Sequence, residues 1–253
     1  MRPGRLHRRL AWTGRVLVLV ILTLAASGKL PHLVLTQAVL GSVLTMVAAP
    51  LCLLDRAVGE DRRRWSIPAF PAVTLMSIGM VGAQLPPVVA AVGDGGPLTV
   101  LTLVTLLALA LGFWSVVMPP ARLKGLVAAG YVVMGSLPIS MPAMFVLMLP
   151  RDIYATFHAA APGPLAAMDD QVFSGFVLFA FVKITLFVAF SVLFLKASAE
   201  RVEENGGEGG GGRRPQPPGL PGWVLDLLRG EPTVDEPTAV ERQPAAPTGA
   251  GSR

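Results

Sequence analysis

Six long apolar stretches, separated by short polar segments, dominate residues 1–198 of the chain. They cover residues 10–27, 32–54, 67–92, 97–118, 126–149 and 172–195. Most reach the roughly 20 residues that a helix needs to cross an apolar layer about 30 Å thick. They lack the strict alternation that the strands of a membrane barrel would show. We therefore predict an all-α protein, a polytopic membrane helix bundle with six transmembrane helices over residues 1–198.

Proline and glycine divide this pattern further. Pro86 and Pro87 remove two successive backbone donors, so we predict that the third helix kinks or ends near them. The run Gly-Asp-Gly-Gly-Pro over residues 93–97 predicts a turn before the fourth helix. Residues 199–253 contain 8 Pro and 11 Gly, a share that is typical of disorder. We predict a disordered tail there, in which residues 223–229 form a short amphipathic helix that docks on the membrane or a partner, or forms only transiently.

The basic residues are segregated between the two sets of helix ends. Thirteen Lys or Arg lie near one set, whereas only Lys29 and Arg151 lie near the other. By the positive-inside rule the richer side is cytoplasmic, so we predict that both termini and the tail are cytoplasmic. The net charge of +5 then reflects topology and affinity for anionic lipid heads, and we expect no nucleic-acid partner.

Short motifs at the ends of the stretches follow one another in a definite order. They are His-Leu-Val-Leu-Thr-Gln at 32–37, Ala-Ala-Pro-Leu-Cys-Leu-Leu at 48–54, Gln-Leu-Pro at 84–86, Gly-Phe-Trp at 112–114 and Asp-Gln-Val-Phe-Ser-Gly at 170–175. This succession resembles the CtaG family of cytochrome c oxidase assembly factors (caa-type oxidase), whose pattern runs HMxxH, APPLL, WHLP, GxxFWW and DQxxAG. The resemblance extends over residues 10–196.

The resemblance implies a function without catalysis. A member of this family would be a multi-pass protein of the bacterial plasma membrane that helps to deliver copper to a heme–copper oxidase. Its expected partners are a cytochrome c oxidase subunit and the lipid bilayer, and its expected metal is copper. The chain contains no Walker loop, HExxH or GxSxG motif, and we expect that it is not an enzyme.

Most of the family's histidines are replaced in this chain. His32 occupies the first histidine position of HMxxH, but Leu33 replaces the methionine and Thr36 the second histidine. Gln84 stands where WHLP has its histidine. Copper prefers imidazole, thiolate and thioether ligands. This divergent member has therefore either lost metal binding and acts as a scaffold, or it binds copper through other residues.

Methionine offers an alternative set of copper ligands. Met141, Met144 and Met148 follow i, i+3, i+7 spacing, which places them on one helix face, and thioethers suit Cu(I). We name these three residues and His32 as candidate copper ligands. The competing interpretation is that the methionines fill apolar packing and that His32 is a hydrogen-bonded residue at a helix start.

Three polar residues mark a candidate site at the outer ends of the helices. As the family motifs imply, Gln84, Asp170 and Gln171 would line it, and we predict that His32, Gln84 and Asp170 cluster there. A structural role is the alternative, because an acid at the N-terminus of a helix caps it and complements its dipole.

The first apolar stretch allows two interpretations. Arg8 and Arg9, a short apolar core and small residues at 25–27 imitate a secretory signal peptide, which would be removed. A retained first helix is the preferred prediction, because the family pattern includes a span here.

Lys183 places a full charge near the middle of the sixth stretch, and none of the six stretches contains an acid to pair with it. Intramembrane charges usually face a bundle interior or water, and Thr102, Thr105, Ser136 and Ser140 are candidate partners. Lys183 either contacts another protein or a ligand, or it is a structural lysine that snorkels to the membrane surface or is neutral.

Lys183 supports an alternative function, a transporter of a small molecule or an ion such as copper, because broken helices near a charge are typical of transporters. A membrane anchor whose tail recruits a cytoplasmic partner is the third alternative.

Overall fold

The computed structural model describes residues 3–54, 68–93, 95–118, 123, 125–161 and 163–206. Every regular element in this part of the chain is a helix, so the predicted all-α class is confirmed. The elements are α1 (Pro3–Ala26), α2 (Val34–Ser42), a π-helical segment (Val43–Ala48), α3 (Ala49–Leu53), α4 (Ala69–Ala83), α5 (Pro86–Val92), α6 (Pro97–Ser115), α7 (Gly125–Met148), α8 (Ala155–Ala160) and α9 (Ala167–Gly206).

Five helical stretches are long and apolar enough to cross a membrane. They are Leu6–Ala26, Val34–Leu53, Pro97–Ser115, Gly125–Met148 and Ala167–Arg201. The second of these joins α2, the π-helical segment and α3. α4 and α5 pass the same test together, but they are bent by 68° at the break between them. The described residues thus hold five candidate spans, or six if the bent pair counts as one, which fits a helical membrane bundle.

Two prolines produce the bend between α4 and α5. Pro86 and Pro87 have no N–H to donate to the carbonyls of Gly82 and Ala83, so the α-helical ladder stops. The N–H of Leu85 instead donates to the Gly82 oxygen at 3.2 Å in a tight turn, and α5 begins at the next residue. The predicted break in the third helix is confirmed.

One missing donor explains the π-helical segment of the second span. Here the N–H of Ala49 donates to the carbonyl oxygen of Leu44, five residues earlier. In that register the carbonyl of Thr45 would need the N–H of residue 50, but Pro50 has none. The buried Trp114 supplies a donor, because its Nε1–H bonds to the Thr45 oxygen at 2.9 Å. The proline of the second span and the tryptophan at the end of α6 therefore act together.

The first helix packs into the bundle. Ile21 and Ala25 of α1 are buried against Leu44 and Ala48 of the second span and Leu103 of α6.

The main core draws on α4, α6, α7 and α9, and α9 packs along both α7 and α2. Leu178, Val182 and Leu186 of α9 are buried in it. Gly175 lies so close to α7 that a Cβ atom there would stand 2.9 Å from the backbone nitrogen of Leu147. Glycine permits this close approach of two helix backbones.

α9 is longer at both ends than the predicted sixth helix. It begins at Ala167, so Asp169 and Asp170 lie in its first turn, and it ends at Gly206, past the predicted tail boundary at residue 198. The residues just after that boundary include Ala, Glu and Arg, which favour helix. The rest of the predicted tail lies outside the described residues.

The connections between spans meet at one end of the bundle. Gly96, with a φ of 105°, donates its N–H to the carbonyl oxygen of Ala25 at the end of α1, at 2.7 Å. The ring of His32, ahead of α2, stacks on Phe157, which follows α7. We call this the Asp170 end, after the buried acid that it contains.

Candidate functional site

The Asp170 carboxylate caps the N-terminus of α2, a helix other than its own. α2 starts at Val34, and the residue before it, Leu33, has no side chain that could cap it. Asp170 of α9 accepts the Val34 N–H at 2.8 Å and the Leu35 N–H at 3.0 Å, and it is fully buried. The positive end of the α2 dipole compensates the buried negative charge. The sequence predicted capping of the acid's own helix, whereas the carboxylate bonds to α2.

His158 links this buried acid to a second one. Its Nε2 lies 3.1 Å from Asp170 Oδ2, and its Nδ1 lies 2.9 Å from Asp152 Oδ2. Each ring nitrogen of His158 faces a carboxylate oxygen of a different acid. The ring thus ties the loop after α7 to the first turn of α9.

Tyr154 connects the same loop to the proline break. Asp152 Oδ1 accepts the Tyr154 N–H at 2.8 Å, which forms a local turn. The Tyr154 hydroxyl donates to the carbonyl oxygen of Gln84 at 3.0 Å, just before the bend between α4 and α5. Burial raises the pKa of the Tyr154 phenol, and the charges of Asp170 and Asp152 raise it further. The phenol therefore stays protonated and remains a donor.

The Gln171 side chain forms hydrogen bonds with the backbone at the C-terminal end of α7. Its Oε1 accepts the Ile153 N–H at 2.8 Å, and its Nε2 donates to the carbonyl oxygens of Arg151 at 3.1 Å and Val146 at 3.3 Å. The last carbonyls of a helix have no partner within it. The amide satisfies one of them and holds the chain as it leaves α7.

His32 bonds across the same end of the bundle. Its Nε2 lies 2.8 Å from the carbonyl oxygen of Phe157. The two rings stack with their centroids 3.9 Å apart and their planes 6° from parallel. Because a carbonyl only accepts, Nε2 carries the hydrogen. In this arrangement Nε2 is a donor and not a metal ligand.

The structure brings the predicted outer-face residues together around one segment. Gln84, Asp170, Gln171 and His32 each bond to residues of the connection between α7 and α9. The connection itself supplies four residues that the sequence did not single out for the site: Asp152, Tyr154, Phe157 and His158. One sequence signal could have pointed to this cluster. His158 follows Asp152 by six residues, in a loop that leads to the acidic start of α9.

The three candidate copper ligands of α7 lie at the surface of the bundle. Met141, Met144 and Met148 lie on the exposed face of α7, with 67%, 38% and 67% of their surfaces accessible. Among the residues that the structure describes, no group of three or more His, Cys, Asp or Glu side chains could hold a metal ion. The residues do not fit a buried copper site as they stand, and copper ligation stays a prediction.

Lys183 lies beside a ring of its own helix. Its Nζ is 5.6 Å from the centroid of the Phe179 ring, one turn earlier in α9. The four hydroxyls that the sequence named as candidate partners would have to accept from the Lys183 ammonium, and their own hydrogens are already used. Thr102, Thr105, Ser136 and Ser140 each donate to a carbonyl three or four residues earlier in their own helices.

Comparison of the chain with protein families, with curated proteins and with solved structures finds no match. The resemblance to the CtaG family therefore rests on the motifs themselves.

Proposed function

We propose that the protein is a multi-pass protein of a bacterial plasma membrane, with six spans and both termini in the cytoplasm. The bent pair α4 and α5 would be the third span. The Asp170 end would then face outward, and it contains the two basic residues of the poorer side, Lys29 and Arg151. The excess of Lys and Arg on the other side supports this orientation.

We further propose that it is a non-catalytic assembly factor for a heme–copper cytochrome c oxidase, and that it acts as a scaffold. One observation carries the preference for a scaffold. Asp170 and Gln171, the start of the family-like motif in α9, direct their polar atoms at backbone groups of α2 and of the α7–α9 connection. Side chains used in this way shape an outer surface against which an oxidase subunit would be held.

Copper delivery is the other form of the same function. The three methionines on one face of α7 support it, because soft thioethers suit Cu(I).

The test is an oxidase assay in a deletion strain. Without the protein, we expect loss of assembled oxidase that added copper does not restore. A variant with Met141→Leu, Met144→Leu and Met148→Leu should restore assembly if the protein is a scaffold. Failure of that variant, together with rescue of the deletion strain by copper, would support copper delivery instead. Normal assembly and normal oxidase copper in the deletion strain would contradict both forms.

Transport is a second candidate, supported by the broken third span. A cavity of about 30 Å³ lies beside the break, and its lining includes the polar side chains Gln37, Gln84, Thr99 and Thr102. Polar groups at a helix break within an apolar bundle are typical of transporters. Lys183 does not line this cavity. Uptake of copper or other solutes into vesicles that is unchanged by Lys183→Met would remove the role proposed for the lysine.

A further inference from the structure

α9 carries a stripe of aromatic residues centred on its lysine. Phe173, Phe176, Phe187, Phe190 and Phe194 lie on it, and Ala180 and Lys183 occupy its middle. Successive members are three or four residues apart, the spacing of the contact positions in paired helices. At 3.6 residues per turn they share one arc roughly 100° wide. We call these seven residues the phenylalanine stripe.

Four rings of the phenylalanine stripe face away from the packed side of α9, whereas Phe190 packs against the core and Ala180 and Lys183 are half-buried. Leu178, Val182 and Leu186 mark the side that is buried in the core. Phe173, Phe176, Phe187 and Phe194 are between 44% and 69% exposed. The aliphatic Ile184 and Val188 are also exposed, but they lie beside the stripe and not within it. The aromatic rings and the charge are thus gathered on one edge of the outward surface.

The Lys183 ammonium has no acid to pair with inside the bundle. Lys183 follows Asp170 by 13 residues (183 minus 170), which places it roughly 20 Å along the axis of a helix crossing a layer about 30 Å thick. Its side chain points back toward Phe179, as helical side chains do. Within the described part of the chain, no carboxylate forms an ion pair with it: both pairs found there belong to His158.

We propose that the phenylalanine stripe docks a transmembrane helix of a different protein, and that this helix carries an Asp or Glu at the depth of Lys183. A carboxylate would neutralise an ammonium that the apolar layer otherwise disfavours. Ala180, one turn away, lets the partner backbone come close, and the rings on both sides provide packing area. The inference is independent of the oxidase assignment.

Charge argues against a second copy of this chain as the occupant. A parallel pair of α9 helices meeting at the phenylalanine stripe would bring the two Lys183 ammoniums together. The six apolar stretches contain no Asp or Glu, so another part of the bundle would offer no counter-charge at that depth. The carboxylate therefore comes from a different polypeptide.

Photo-crosslinking of the full chain in its native membrane tests the proposal. p-Benzoylphenylalanine is placed at Phe187 in the stripe or, as a matched control, at Phe145, an equally exposed phenylalanine of α7. We expect a discrete protein adduct from position 187 and none from position 145. Sequencing of the crosslinked peptide should identify a membrane span that contains Asp or Glu.

The lysine provides the second arm of the experiment. Lys183→Met should reduce the adduct about tenfold, the effect of losing one polar contact between membrane helices, whereas Lys183→Arg should retain it. Ala180→Leu, which leaves the charge in place, should also reduce the adduct because it blocks close approach. The purified Lys183→Met protein should unfold at the wild-type temperature, since the charge has no acid partner within the bundle.

Several outcomes would overturn the proposal. They are an adduct of the chain with itself, adducts with lipid alone, and an adduct whose yield is the same with Lys183→Met. A partner span without Asp or Glu would do so too. When a partner acid is identified, exchanging the two charges, with Lys183→Glu on this chain and lysine on the partner, should restore the adduct.

Discussion

Asp170 joins the start of α2 to the α7–α9 connection at the Asp170 end. Its carboxylate satisfies two backbone N–H groups of α2 and faces one ring nitrogen of His158. Removing it would leave the two N–H groups without an acceptor and would leave His158 with Asp152 alone. Asp169, the preceding acid, is exposed and provides a matched comparison of equal charge.

We expect Asp170→Ala to lower the free energy of unfolding by about 2–5 kcal/mol, because the two N–H groups at the start of α2 lose their acceptor at a cost of about 1–3 kcal/mol each. Asp169→Ala should change it by about 0.5 kcal/mol or less. Denaturation of the purified protein in detergent micelles, followed by circular dichroism, measures both. Equal effects of the two substitutions would show that the carboxylate of Asp170 does not stabilise the start of α2.

At the scale of elements, the second span depends on a donor from another helix. Pro50 leaves the carbonyl of Thr45 without a backbone partner, and the indole of Trp114 bonds to it. The irregular helix and the buried tryptophan are therefore one structural unit. The effect of substituting Trp114 on stability should therefore depend on whether residue 50 is proline.

Trp114→Phe should lower the free energy of unfolding by about 1–3 kcal/mol through the unsatisfied carbonyl. In a Pro50→Ala background the same substitution should cost less, because residue 50 then has its own N–H and the ladder can close. A double-mutant cycle measured by denaturation isolates this coupling. Trp12→Phe in α1, at an exposed position, is the control and should have little effect. Additive costs for Trp114→Phe and Pro50→Ala would contradict the explanation.

At the scale of the whole molecule, the most extensive contact between two helices joins α7 and α9. Because Gly175 has no Cβ atom, the backbones of α7 and α9 lie so close together that an added Cβ atom would meet the backbone of α7. The segment that joins these helices then closes over the Asp170 end. The close packing of α7 against α9 and the hydrogen bonds at the Asp170 end stabilise the same pair of helices.

We predict that Gly175→Ala destabilises the protein by about 1–3 kcal/mol, because the added carbon overlaps the backbone of α7. Gly130→Ala in α7, where no atom lies within 4 Å of the added carbon, should be neutral or stabilise by up to about 1 kcal/mol. Thermal unfolding in detergent distinguishes them. A neutral Gly175→Ala would mean that the helices separate without cost.

The predictions from sequence succeeded where one residue acts through its own covalent chemistry. Pro86 and Pro87 lack a donor wherever they occur, so the break in the third span was predictable. The role of His158 was not, because an isolated histidine in a loop gives no sign of which acids it will meet. The target of Asp170 was missed for the same reason: capping was predicted within its own helix, and the carboxylate bonds to another.

The sequence by itself determined that the chain forms long apolar helices of membrane-spanning type, and where proline interrupts them. It did so because apolar length and missing donors are local properties. Only the tertiary structure decided which polar groups meet. The bonds that assemble the Asp170 end join residues 136 and 125 positions apart, Val34 with Asp170 and His32 with Phe157. Such partners depend on how the helices pack, and no local pattern of residues specifies them.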